Sequence, residues 1–181
     1  MMMNIKLRKL ELRDINDEYC NWYKNDDGHL DYFTGSNRVF SKATLIDDYN
    51  HGVETGRWFY YLIEDGESNR IGNVKIGPID IKNATSDLVC LIGNRDFLGK
   101  GVAAKAIALA NDIAFTKHGI RRLHGGMYKS NVPSIKAYTR AGWFIECEME
   151  GFYLIDGNVE NRVCVACLNP DFLRVSKCYE N

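Results

Sequence analysis

Two glycines one residue apart, Gly99 and Gly101, stand where a strand-like run (residues 87–92) gives way to a strongly helical one (residues 103–118). Glycine lets a backbone approach a ligand closely. The first turn of a helix leaves N–H groups without intrahelical partners at the positive end of its dipole. The stretch Asp96-Phe97-Leu98-Gly99-Lys100-Gly101-Val102-Ala103 therefore reads as a cradle for a pyrophosphate, built from main chain. Spacing sorts the ligands that could lie in it. A P-loop has four residues between its first glycine and the Gly-Lys pair, then Ser or Thr to hold magnesium. Here five residues separate Gly93 from Gly99, and Gly101 follows Lys100, so no hydroxyl is at hand. A dinucleotide turn starts almost directly at the strand end and needs a carboxylate roughly 20 positions later. Six residues (93–98) intervene here, and the next strand, residues 122–128, runs into Lys129-Ser130-Asn131. Neither nucleotide hydrolysis nor NAD binding fits.

A second segment narrows the choice. Past the helix and its following strand comes Asn131-Val132-Pro133-Ser134-Ile135-Lys136-Ala137-Tyr138-Thr139-Arg140-Ala141-Gly142-Trp143. The two segments, in this order and about thirty residues apart, resemble the GNAT superfamily of acetyl-coenzyme A-dependent N-acetyltransferases, in the branch that includes ribosomal-protein acetyltransferases of the RimJ/RimL type. The family's cradle typically reads aromatic–Trp-Gly-Lys-Gly-small, and its later segment Asn-x-x-Ser/Ala, an aromatic or Glu, then Gly-Phe. Leu98 and Trp143 are apolar departures from that pattern, and Asp96 stands where Gln or Arg is common.

The resemblance implies roles. The amides of Leu98, Gly99, Lys100, Gly101, Val102 and Ala103 would hold the pyrophosphate of acetyl-CoA. Backbone groups of Leu91, Ile92 and Gly93 would pair with pantetheine and polarise the thioester carbonyl. Tyr138 would be the general acid for the departing thiolate, since a tyrosine at the matching place reaches the coenzyme sulfur in GNAT enzymes. Asn131 would bond the coenzyme, and Lys136 would reach its phosphates. Asp87, at the start of the strand before the cradle, would take the amine proton directly or through a water, with Glu64, His124 and Glu146 in reserve. No metal is implied. None of the cysteines falls within the cradle stretch itself, which favours direct transfer in a ternary complex over an acetyl-enzyme.

These residues need elements to position them. Residues 5–12 suggest an opening strand, and 14–24 a helix capped by Asp14 or Asn16. Residues 25–37 form a loop anchored by His29, Leu30, Tyr32 and Phe33, and Ser41 caps a short helix at 43–49. Residues 57–64 and 71–81 are strands joined by a hairpin loop at 65–69, and 86–92 is the next strand. In the long helix Ala103, Ala106, Ile107, Ala110, Ile113 and Ala114 share one face, and Lys117, His118 and Gly119 close it. Pro133 suits the first turn of a shorter helix that ends at Gly142. Residues 144–149 and 161–168 read as the last strands, with a turn at Asp156-Gly157-Asn158. Mostly sequential strands with one long crossover helix predict a mixed α+β fold: about seven mostly antiparallel strands, about four helices, and one domain over residues 1–181. The resemblance adds that the strands flanking the long helix splay apart around the pantetheine arm.

Composition agrees and excludes. A formal net charge of −1 gives no electrostatic reason for nucleic acid. No apolar run approaches the roughly 20 residues that span a bilayer, and the N-terminus lacks a secretory segment. Cys164 and Cys167 have the spacing of a zinc knuckle, but residues three apart on a strand face opposite sides. With Cys20, Cys90, Cys147 and Cys178 they read as thiols of a reducing cytoplasm. The acceptor stays open between a small amine and a protein N-terminus. A closed aromatic pocket would favour the first, and an acidic groove or open trough the second. Tyr32, Phe33, Arg38, His51, Trp58 and Tyr60 are the specificity candidates, and the segment Ile71-Gly72-Asn73-Val74-Lys75-Ile76-Gly77-Pro78-Ile79-Asp80 resembles members that act on nucleotide-linked amino sugars. A non-catalytic acyl-CoA-binding module is the reading from another class, and a homodimer is left open.

Overall fold

The computed structural model describes residues 4–25, 28, 30–33, 39–155 and 157–172. Its elements run β1 (Ile5–Lys9), α1 (Asp17–Asn21), α2 (Lys42–Thr55), β2 (Phe59–Asp65), β3 (Arg70–Asp80), β4 (Thr85–Ile92), α3 (Val102–Lys117), β5 (Arg122–Tyr128), α4 (Val132–Arg140), β6 (Phe144–Ile155) and β7 (Asn158–Leu168), with 3-10 turns at Leu12–Asp14 and Arg95–Phe97. The strands form one sheet in the order β1-β2-β3-β4-β5-β7-β6. All neighbours are antiparallel except β4 and β5, whose parallel pairing follows from the α3 crossover between them. The mixed, mostly antiparallel fold is the one the sequence predicts.

Strand alternation puts neighbours on opposite faces, and two apolar layers result. On one face α3 buries Val102, Ala106, Ile107, Ala110 and Ala114 against Ile63, Val74, Leu88, Leu123 and Val165. On the other, Ile15, Tyr19, Trp22, Leu30 and Leu45 cover Leu62 and Leu91. Asn111 fastens α4 to α3: its amide donates to the Ala141 carbonyl at 3.0 Å and its Oδ1 accepts from Trp143 Nε1 at 3.0 Å.

The structure moves several boundaries. The first helix begins at Asp17, because Asn16 caps it by accepting from the Tyr19 N–H at 3.1 Å. Asp14 is instead 2 % exposed between Arg8 (2.8 Å) and Arg70 (2.9 Å). Burial opposes its charge, but the two guanidiniums and the Glu11 amide prevail and hold the carboxyl below its ordinary value. Helix α2 is longer than predicted and ends at Gly56, φ +62°. The internal Gly52 does not break it, since Trp58 and Tyr60 pack directly on that glycine. Strand β6 continues to Ile155 although nearly every residue in it is exposed, so no alternation announced its second half. His29, Arg38, Asp156 and Cys178 lie outside the described residues.

Candidate active site

The parallel pairing of β4 and β5 lasts three residues, Thr85, Ser86 and Asp87 against Arg122, Leu123 and His124. Beyond it the strands diverge, and β5 continues as Gly125-Gly126. A cleft of about 730 Å³ opens there, walled by β4 from Asp87 to Ile92, the loop into α3, Gly125, Gly126 and Met127 of β5, and the inner side of α4. Leu30, Tyr32 and Phe33 close one end.

At the cradle, Gly99 and Gly101 have φ of +71° and +76°, the left-handed region. Gly101 is the residue that opens α3. Leu98 does not offer its N–H, which donates to the Arg95 carbonyl at 3.0 Å. Among the described residues the amides of Gly99, Lys100, Gly101, Val102 and Ala103 make no such bond, and no acidic residue stands in the first turn of α3. They therefore present donors and dipole together to an anion. A Cβ on Gly101 would meet nothing within 4 Å, so its conformation, not crowding, requires glycine. Gly101→Ala is expected to cost about 1 kcal/mol from the left-handed backbone. It should also raise KM for acetyl-CoA on the order of tenfold, about 1.4 kcal/mol, read by thermal shift with and without coenzyme A.

Backbone direction separates the three residues expected to pair with pantetheine. The Gly93 N–H is consumed by the Ile71 carbonyl at 2.9 Å, and the Leu91 carbonyl lies against Gly72 of β3. Alternation then turns the groups of Cys90 and Ile92 toward the splay. Of the three residues expected there, Ile92 alone presents its backbone, and Cys90 joins it. Gly93 and Lys100 are absent from the lining; the Lys100 ammonium lies 5.7 Å from the Phe97 ring centre.

Tyr138 of α4 is 7 % exposed. Its hydroxyl donates to the Leu88 carbonyl at 2.6 Å, the first β4 carbonyl past the last β4–β5 pair. Burial pushes the phenol well above its usual value, with Cys90 and Asp87 adding to the rise while the Cys90 amide opposes it. Asp87 lines the same cleft, its Oδ1 accepting from the Leu88 N–H at 2.7 Å. Burial raises its pKa against that bond and against His124, Arg162 and Lys75. The other candidate bases are committed elsewhere: Glu64 pairs with Arg8 and Lys6, and Glu146 with Arg122. Asn131 lines the cleft but uses its Oδ1 to cap α4, accepting from the Ser134 N–H at 3.2 Å. Lys136 lines it together with Arg140, which sequence reasoning missed. Of the acceptor candidates, Tyr32 and Phe33 reach the cleft. His51 packs tilted against Trp58 with ring centres 5.2 Å apart, and Tyr60 donates to the Asp48 carbonyl at 3.3 Å.

Cys90 also lines the cleft, which removes the positional ground for dismissing an acetyl-enzyme. Burial pushes its thiol up to about 12, and a thiol is nucleophilic only as thiolate. Cys90→Ala is therefore expected to change kcat less than ~3-fold, under about 1 kcal/mol of barrier. A stoichiometric acetyl adduct trapped by mass spectrometry would contradict this. Cys164 and Cys167 face opposite sides of β7 in register with Gly126 and Leu123, and no metal-holding group of His, Cys, Asp or Glu occurs among the described residues.

The family model described as Acetyltransferase (GNAT) domain matches residues 4–143. A spermidine N(1)-acetyltransferase of Escherichia coli (strain K12) is 28% identical over 177 residues, covering 96% of this chain and 91% of that protein. A probable N-acetyltransferase of Bacillus subtilis (strain 168) is 25% identical over 142 residues, covering 78% and 76%. The crystal structure of spermidine N-acetyltransferase from Vibrio cholerae in complex with CoA and spermine matches with TM-score 0.78 and 23% identity, covering 94% of this chain and 98% of that one. These likenesses support the family and the fold, and they do not support the RimJ/RimL branch expected from the cradle.

Proposed function

This chain belongs to the GNAT acetyltransferase family and is an acetyl-CoA-dependent N-acetyltransferase, and on that premise we propose that it acetylates a small primary amine by direct transfer in a ternary complex. Asp87 takes the proton of the attacking amine, whose nitrogen forms the new C–N bond. Tyr138 gives a proton to the sulfur as the C–S bond breaks. The amides of Gly99 to Ala103 hold the diphosphate and the Cys90 and Ile92 backbone the pantetheine, while Lys136 and Arg140, which line the cleft, reach for the coenzyme's phosphates. One observation carries the reading: a carboxylate and a phenol stand in one cleft, at the point where β4 and β5 part.

The aromatic end formed by Tyr32 and Phe33 favours a small acceptor over a protein N-terminus. A nucleotide-linked amino sugar is the first candidate, supported by the β3 segment. Spermidine is the second, supported by the relatives' names. A panel of amines assayed by thiol release from acetyl-CoA tests this. Turnover of small amines is expected; turnover of peptides alone, or of nothing while CoA still stabilises the protein, would refute it.

We place the chain in the cytoplasm, as one domain. No helix among the described residues is long and apolar enough to cross a membrane. Self-association is supported by Phe144, Ile145, Met149 and Phe152, all at least 42 % exposed along β6. Sedimentation equilibrium is expected to show a dimer, and a monomer at micromolar concentration would remove this assignment.

A further inference from the structure

One charged side chain beside the cleft acts in the chemistry above only as a distant charge that favours ionised Asp87. Arg162 of β7 makes no hydrogen bond or ion pair among the described residues, and its Nε is buried without a partner. Its guanidinium stacks on Phe152, with the Cζ 4.7 Å from the ring centre. It also lies flat on Gly126, where an added Cβ would overlap its Nε, Cζ and Nη2. Gly126 is cleft wall.

Register fixes the direction. His124, Gly126 and Tyr128 follow one another at steps of two and share one face of the sheet with Asp87, which is paired with His124, while the Asp87 Oδ1 turns into the gap between the strands, 3.6 Å from where a Cβ on Gly125 would stand. Arg162 is paired with Tyr128 across β5 and β7 and shares that face. For an amine that reaches Asp87 from the Gly126 side, the guanidinium over Gly126 is the next charged group beside the cleft. Rings bound the same place: Tyr128 and Tyr153 have centres 4.1 Å apart, and Tyr32 lies 6.0 Å from Tyr128. Burying the Arg162 Nε–H with no acceptor is costly, and the planar donor fork of this half-buried side chain suits a carboxylate or phosphate. Asp87 is the one carboxylate among the described residues lining the cleft, so within the cleft a polycation would meet a single counter-charge, with the guanidinium beside it.

We propose that Arg162 is a specificity residue that receives an anionic oxygen group, carboxylate or phosphate, carried by the acceptor, so that the enzyme acetylates amines of acidic small molecules in preference to polyamines. This rests on the small-amine reading above and names its substrate class.

The test compares matched acceptors on the full chain: glucosamine against glucosamine 6-phosphate and a nucleotide-linked amino sugar, an amino acid against its amide, and spermidine. The anionic member of a pair is expected to have kcat/KM at least ~10-fold above its neutral partner, and the responding pair tells phosphate from carboxylate. Arg162→Met should abolish most of that ratio, the change falling on KM of the anionic acceptor. Arg162→Lys should restore part of it. Gly126→Ala keeps the charge but displaces the guanidinium, and should imitate Arg162→Met. Coenzyme A must stabilise each variant against heat, which shows that it folds. Spermidine preferred by the wild type, or an Arg162→Met loss equal across all acceptors, would overturn the specificity role while leaving the acetyltransferase reading intact. Turnover of no amine would overturn both.

Discussion

Asp87→Asn is expected to lower kcat by ~10²- to 10⁴-fold, the usual worth of a positioned base, while the melting temperature holds or rises. The two halves of this expectation share one cause. Burial raises the Asp87 pKa, so the fold favours the neutral acid over the anion. A group whose folded pKa is raised contributes stability below its unfolded pKa and loses it as pH rises through the folded value. At neutral pH the ionised carboxylate is therefore a cost to the fold. Asparagine is uncharged at every pH, and its Oδ1 can still accept from the Leu88 N–H that Asp87 holds at 2.7 Å. The substitution removes the base and the desolvation cost together. The same shift predicts the pH profile: kcat/KM of the wild type should fall as pH drops through a pKa raised above the ordinary value of an aspartate, and this limb should be absent from the variant. His124, paired with Asp87 in register, is the nearest substitute. Full activity in Asp87→Asn would pass the role to it or to solvent, and loss of activity with loss of folding would show that Asp87 is structural.

The parts of this molecule that were legible in sequence are those specified locally. Gly99 and Gly101 announce the cradle because the left-handed backbone there needs glycine. Helix α3 is legible because its apolar residues recur at steps of three and four, and the caps Asn16 and Ser41 because each accepts from an amide three residues on. What sequence could not show depends on strands meeting. Whether Leu91, Ile92 or Gly93 turns its N–H to the cleft is decided by the β3 register, which gives the Gly93 N–H to Ile71. Cys90 reaches the cleft through the same register. Arg162 lies in strand β7, 36 residues after the Gly126 it covers, and nothing in either neighbourhood connects them. One signal was available and passed over: Gly125-Gly126 within an otherwise ordinary strand marks a place where something must approach the backbone.

Tyr138→Phe separates the two offices of this hydroxyl. In the fold it satisfies the Leu88 carbonyl, which the diverging β5 cannot reach. In the reaction it supplies the proton for the leaving sulfur. Removing it leaves a buried acceptor without its donor, a loss of about 1–3 kcal/mol. The ring remains, edge-on to Trp143 with centres 4.8 Å apart, so the packing of α4 on α3 is kept. Were the hydroxyl structural only, the variant would lose stability and keep kcat. As the acid, it should lose kcat by ~10²-fold or more, with KM for acetyl-CoA little changed because the cradle amides are untouched. Leaving-group dependence is the sharper readout. A raised phenol pKa keeps Tyr138 protonated through the neutral range, so it assists departure only where the thiolate is basic enough to need a proton. A more acidic thiol leaving group should therefore narrow the gap between wild type and variant. An equal loss with both donors would argue that the hydroxyl positions β4 rather than donating to sulfur.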